Sequence, residues 1–118
     1  ILGMYAAKAA YEHGDAWLQA QLAYLQANRD LIDEALQTDL KPIKWAKPEA
    51  TFLAWLDCRD LGVEGSMQEF FLDRAKVGFN DGPEFGEVGQ GFVRLNFGTT
   101  RANIQLAIEK MKAAIESL

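Results

Sequence analysis

The period of the apolar residues changes along this chain, and that change limits the folds open to it. Leu18, Leu22, Leu25, Ile32 and Leu36 form one stripe, and Ile104, Ile108, Met111, Ile115 and Leu118 form another. A recurrence every three to four residues is that of amphipathic helices that bury one face. Between them the pattern shortens. Thr51 to Cys58 is aromatic and apolar with few polar breaks, which predicts a well-buried strand, and Phe92 to Phe97 alternates as a strand does. Consecutive short strands with helices to one side predict an α+β fold. The form expected is a two-layer small domain with a short, mostly antiparallel sheet covered by helices.

Punctuation residues divide the rest. Met4 to Tyr11 reads as an alanine-rich helix, and His13-Gly14 ends it if Gly14 takes the left-handed conformation. Asp15 then caps the long helix, and Lys41-Pro42 stops it. Ile43 to Trp45 reads as an edge strand, and Lys47-Pro48-Glu49 as a turn. After a loop at Gly62 to Gly65, Ser66 and Glu69 have the spacing of a capping box, opening a helix to about Lys76. Val77 to Asn80 is expected as a short strand, and Asn80 to Gly91 as one long glycine-rich loop. Thr99 or Thr100 caps the last helix. The chain is thus expected to be one domain. Residues 1–40 form a long helical segment and residues 41–118 the α+β unit.

Length and composition narrow the function classes. A chain of 118 residues can bury a core of its own. A net charge of −5 and the absence of a basic cluster argue against nucleic acid, and no run approaches the roughly 20 apolar residues that span a bilayer. One cysteine and no signal-like segment fit the cytoplasm. With one histidine and one cysteine, zinc has no ligand set. His13 suits a helix end, where it faces the last carbonyls. Cys58 reads as a buried inert thiol, Asp57 and Arg59 as a local pair, Arg29 as a snorkelling side chain, and Trp17, Trp45 and Trp55 as core or interface residues. The glycines at 82, 86, 89 and 91 precede a strand instead of following one, which is wrong for a nucleotide cradle. They suit turns that need positive φ. The opening Ile1-Leu2-Gly3-Met4, without methionine at position 1, suggests a piece of a longer chain.

Arg94 is the exception to this plain reading. It stands inside an apolar strand, on the face opposite Val93 and Leu95, with Phe92 and Asn96. An arginine there needs a partner or a cleft, because an unpaired buried charge is costly. Two readings stay open: a salt bridge to a carboxylate of this chain, or a fork that awaits an anionic ligand.

Pro48-Glu49-Ala50-Thr51-Phe52-Leu53-Ala54-Trp55-Leu56-Asp57-Cys58-Arg59 resembles a strand of the fold-type I pyridoxal-phosphate (PLP) enzymes of the class I/II aminotransferase superfamily. Gly82-Pro83-Glu84-Phe85-Gly86 and Gly89-Gln90-Gly91-Phe92-Val93-Arg94-Leu95-Asn96-Phe97 resemble that superfamily's loop and arginine strand. The pairing of Trp55–Arg59 with Gly91–Phe97, and Ala9 to Leu18 upstream, are most similar to the MalY/PatB-like cystathionine β-lyase (C–S lyase) branch. The resemblance implies the C-terminal small domain of an aspartate aminotransferase-like fold, joined by residues 1–40 to an absent large domain. It implies that Arg94 binds the α-carboxylate of an amino-acid substrate such as cystathionine. The implied parent is a PLP-dependent lyase releasing thiol, pyruvate and ammonia, and a homodimer. An aminotransferase, or a non-catalytic regulatory module that kept the fold, is the alternative. The Schiff-base lysine of the superfamily lies in a serine-rich motif, and Lys8, Lys41, Lys44, Lys47, Lys76, Lys110 and Lys112 all lack that context. The 118-residue chain alone is therefore expected to hold no PLP, and to be inactive.

Overall fold

A computed structural model describes residues 1–118. Two helices open the chain, α1 (Leu2–His13) and α2 (Asp15–Gln37). Strands β1 (Lys44–Trp45) and β2 (Leu53–Asp57) follow, then α3 (Met67–Phe70), which continues as a wider π-type turn over Phe71–Ala75. β3 (Asn80–Asp81), β4 (Phe92–Asn96) and α4 (Arg101–Glu116) complete the fold. The strands form one sheet in the order β1-β2-β4-β3, with every neighbouring pair antiparallel. The α+β class is the one expected from the apolar pattern.

The two central strands show why the layers form. In β4, Val93 and Leu95 point inward and are buried, while Phe92, Arg94 and Asn96 alternate with them on the other face. β2 follows the same rule: Ala54 and Leu56 are buried, whereas Trp55 is 37% exposed. β2 is therefore a one-faced strand and not buried throughout, because helices cover only one side of the sheet. Ile32 and Leu36 of α2, Met67 and Phe71, and Ile104 and Met111 of α4 pack against that inner face as a single core. The other face stays open.

Several local expectations need correction. Gly14 has φ −89°, not a left-handed conformation. Glycine is needed there because a Cβ would stand 2.4 Å from the Ala10 carbonyl oxygen. Asp15 is the first helical residue, not the cap, and its charge lies in the first turn at the positive end of the helix. Leu18 and Leu22 are exposed, as is Leu118 at the far end, so each stripe is buried only where the sheet lies beneath it. The strand expected at Val77 to Asn80 is displaced to Asn80–Asp81. Lys76, at φ 55°, reverses the chain after the π-type turn and delays pairing with β4. Ser66 Oγ accepts from the Glu69 amide (3.2 Å) but donates to Asp81 (3.1 Å), so only one half of the capping box forms. Thr100 caps α4 by accepting from the Asn103 amide.

The glycine-rich segment is also more ordered than a plain loop. It holds two 3-10 turns, Gly82–Phe85 and Glu87–Gly89. Gly86 and Gly91 have positive φ, as expected. Gly82 and Gly89 serve instead to let two backbones touch. A Cβ on Gly82 would lie 2.0 Å from the Gly89 carbonyl oxygen, and one on Gly89 would lie 2.1 Å from that of Gly82.

Candidate functional site on the open face of the sheet

The antiparallel register places Arg94 opposite Trp55 on β2 and opposite Asn80 on β3. The guanidinium thus emerges on the open face between two strands. One terminal amine donates to Asn80 Oδ1 at 3.0 Å. The central carbon stands 4.4 Å from the centroid of the Phe85 ring, within cation–π range. Its Nε is buried and has no hydrogen-bond partner. No carboxylate lies within ion-pair distance, since Arg94 is absent from every salt bridge of the chain. The local-ion-pair reading is thereby removed, and an uncompensated cation remains on a half-buried surface.

A second arginine nearby provides the contrast. Arg59 donates to both oxygens of Asp57, at 2.8 and 2.7 Å, and its guanidinium lies over Phe92 at 4.8 Å. That hydrogen-bonded pair holds the Asp57 carboxyl below the usual carboxylate range, chiefly through the Arg59 side chain. Phe92 stacks on Trp55, and Trp55 meets Phe85 edge to face, with centroids 5.5 and 5.6 Å apart. The open face therefore carries three aromatic rings flanked by one neutralised arginine and one free one.

Residues set aside as structural behave so. Asn96 Oδ1 accepts from the Gly98 amide at 2.8 Å. Cys58, just past the end of β2, is fully buried, and burial pushes its thiol up to about 12. His13 closes α1 at the surface. Arg29 does not snorkel as expected: its Nε is buried without a hydrogen-bond partner, 3.6 Å from an Asp30 carboxylate oxygen, and its terminal amine donates to the Pro48 carbonyl at 3.0 Å, which fastens the segment leading into β2. Trp17 is 70% exposed and contributes nothing to the core of this chain. No cluster of three or more His, Cys, Asp or Glu side chains is placed to hold a metal, and no helix is long and apolar enough to cross a membrane.

Two residues of the site escaped the sequence reading. Asn80 reads as the end of a short strand and Phe85 as part of a glycine-rich loop, with no role at a site for either. The available signal was Phe85 itself, a large ring in a glycine-rich segment where no core position exists.

No protein-family model matches the chain. The MalY protein of Escherichia coli K12 is 34% identical over 119 residues, covering 100% of this chain and 30% of its own length. Cystathionine β-lyase PatB of Bacillus subtilis is 35% identical, covering 93% of this chain and 29% of its own length. Among solved structures, the PLP-bound C–S lyase of Staphylococcus hominis in complex with the inhibitor L-cycloserine superposes with a TM-score of 0.84. It is 33% identical over 92% of this chain and 29% of its own. The chain thus spans just under a third of the length of these relatives. Over nearly all its residues it is homologous to the C-terminal part of the MalY/PatB-type cystathionine β-lyases and, at lower identity, to PLP-dependent aminotransferases.

Proposed function

We propose that this chain is the substrate-carboxylate-binding C-terminal domain of a PLP-dependent C–S β-lyase. Residues 41–118 form the binding unit, and residues 1–40 form the helical segment that joins it to the rest of a homodimeric parent. The substrate class is cystathionine or a cysteine-like amino acid, and Arg94 is the residue that holds its α-carboxylate. One observation carries this reading: Arg94 is an unpaired arginine on the open face of the sheet, with a partnerless buried Nε and no carboxylate of its own chain. A desolvated guanidinium gains most from a planar anion that accepts two parallel hydrogen bonds.

When bound, PLP supplies an electron sink for breaking a bond at the substrate's Cα. What this chain supplies is orientation. With the amino group held elsewhere in the site, holding the carboxylate at two points sets the rotation about the Cα–N bond, so the Cα–H bond is presented in one direction. The fit to PLP itself is one-sided. Lys8 pairs with Glu12 at 3.7 Å, Lys47 with Asp30 and Asp33 at 2.9 and 2.8 Å, and Lys112 with Asp39 at 2.7 Å. Lys44 pairs with Asp60. The aspartates raise the pKa of Lys44, Lys47 and Lys112, which keeps them protonated and poor at Schiff-base formation. Lys41, Lys76 and Lys110 make no such pair, so the proposal that residues outside this chain hold the cofactor, and that the chain alone does not catalyse, rests on the absence of the serine-rich lysine context from all seven lysines.

In the full-length parent, Arg94→Ala should raise KM for the amino acid by on the order of 100-fold, the scale of losing a desolvated charge pair, and leave PLP absorbance intact. Arg94→Lys keeps the charge and loses the fork, so its KM should fall between the two. An unchanged kcat/KM in Arg94→Ala would sink the clamp role. Incubation of the parent with cystathionine tests the reaction class. Pyruvate and free thiol are expected, and amino transfer to a keto acid without thiol release would favour the aminotransferase.

A further inference from the structure

We infer that Phe85 is a positioning residue for Arg94. Its ring holds the guanidinium plane so that the free edge of the fork faces a carboxylate. The inference rests on the clamp reading of Arg94 and names the residue on which the clamp's geometry depends.

An arginine side chain is long and flexible, and ordering it on binding weakens the complex. Here two contacts restrain it before any ligand arrives. Asn80 Oδ1 fixes one terminal amine within the plane at 3.0 Å. Phe85 covers one face of the group at 4.4 Å. The Nε is buried but has no hydrogen-bond partner, so it adds no anchor of its own. One terminal amine donates to Asn80 and the other makes no hydrogen bond within the chain, so the group keeps free donors for a carboxylate.

Packing does not account for Phe85. The ring is 47% exposed and belongs neither to the core nor to the partly buried residues packed against it. Its aromatic contacts are the Trp55 edge at 5.6 Å and Arg94. Trp55 is itself the cross-strand partner of Arg94. The backbone that carries Phe85 is held with unusual closeness. The Gly82 and Gly89 turns touch, and a Cβ on Gly82 would also come within 2.6 Å of the Phe92 carbonyl oxygen. Directly after Phe85, Gly86 turns the chain at φ 121°. A ring outside the core, delivered by a turn clamped against the strand that bears Arg94, fits a role in holding that arginine.

The test uses the full-length, PLP-loaded parent and four variants: Phe85→Leu, Phe85→Tyr, Arg94→Ala and the Phe85→Leu/Arg94→Ala double. KM and kcat are measured for the amino-acid substrate, and the dissociation constant of propionate, a carboxylate without an amino group, by calorimetry. Phe85→Leu should raise both KM and the propionate constant by about 3- to 10-fold, the range of a partly desolvated cation–π contact, with kcat nearly unchanged. Phe85→Tyr, which keeps the ring face, should restore both. In the Arg94→Ala background, Phe85→Leu should add nothing. Equal losses with and without Arg94, or an unchanged propionate constant in Phe85→Leu, would overturn the inference. If Phe85→Leu loses its fold, Phe85→Met, of similar bulk without a π face, decides by the same criteria. A raised KM in Arg94→Ala with an unaltered Phe85→Leu removes Phe85 alone. An unaltered Arg94→Ala removes the clamp reading itself.

Discussion

Burial acts on single residues in opposite ways at Cys58 and Arg94. Cys58 is sealed beside the end of β2, where the only polar contact of its thiol is a 3.8 Å approach to the Leu56 carbonyl. Burial therefore raises its pKa from 9.0 to about 12. The native thiol should resist aromatic disulfide reagents near pH 8 and react once the chain unfolds. Modification in the native state at the rate of a free thiol would contradict that. The linkage has a definite sign. Because the folded pKa is the higher one, this group's contribution to stability is full below about pH 9 and declines as pH rises toward about 12. Denaturant midpoints of the wild type should fall more steeply over that window than those of Cys58→Ala. Arg94 shows the opposite effect of burial, since its buried Nε has no partner. It remains a cation for which the chain supplies no anion.

Two polar ties set how the elements meet. Asn28 of α2 is fully buried and donates to the carbonyls of Phe97 and Thr99 at 3.1 and 2.9 Å, while Arg101 donates to its Oδ1 at 3.4 Å. One side chain thus fastens the long helix to the connection between β4 and α4. Asn28→Ala should cost about 2–3 kcal/mol in denaturant unfolding, because the carbonyls it serves lose their donor while buried. A cost below about 0.5 kcal/mol, the range of an ordinary surface change, would show that water serves them equally well. On the other flank, Lys47 bridges Asp30 and Asp33, and Trp45 donates to Asp33 at 3.1 Å. Both carboxyls are held below their usual value, with the Lys47 hydrogen bond as the largest cause. Their contribution is therefore present above about pH 4 and is lost as acid protonates them. Asp33→Asn should lower Tm at pH 6 and converge on the wild type near pH 2. Asn28 looked like an ordinary polar helix residue in the sequence, because its partners lie about seventy positions away.

At the scale of the molecule, the two layers and the projecting helices behave differently. No residue of α1 is buried, and Leu2, Met4, Tyr5, Tyr11 and Trp17 are all 70% exposed or more. The long axis reaches 51 Å against 29 and 23 Å for the others. A helix of 12 residues with no tertiary packing is marginal in water. In the chain studied alone, amides of α1 should exchange with solvent far faster than those of α2 from Asn28 onward, which enter the core. Equal protection would mean that the exposed apolar residues find a partner, as in self-association, which light scattering would detect.

Period alone determined the class of this protein. Helical spacing at both ends and strand spacing between them permit little besides helices laid on one face of a small sheet, because each apolar stripe must be covered. Strand alternation also put Arg94 on the face away from the core, since side chains alternate whatever the tertiary context. Tertiary structure decided what covers each stripe: Leu18 and Leu22 match Ile32 and Leu36 in the sequence, yet only the second pair lies over the sheet. It decided that Arg94 has no carboxylate within reach, which depends on a register joining residues 80, 94 and 55. And it brought Phe85 over that arginine, through a contact between two glycines that is a matter of distance in space and has no counterpart in residue type or period.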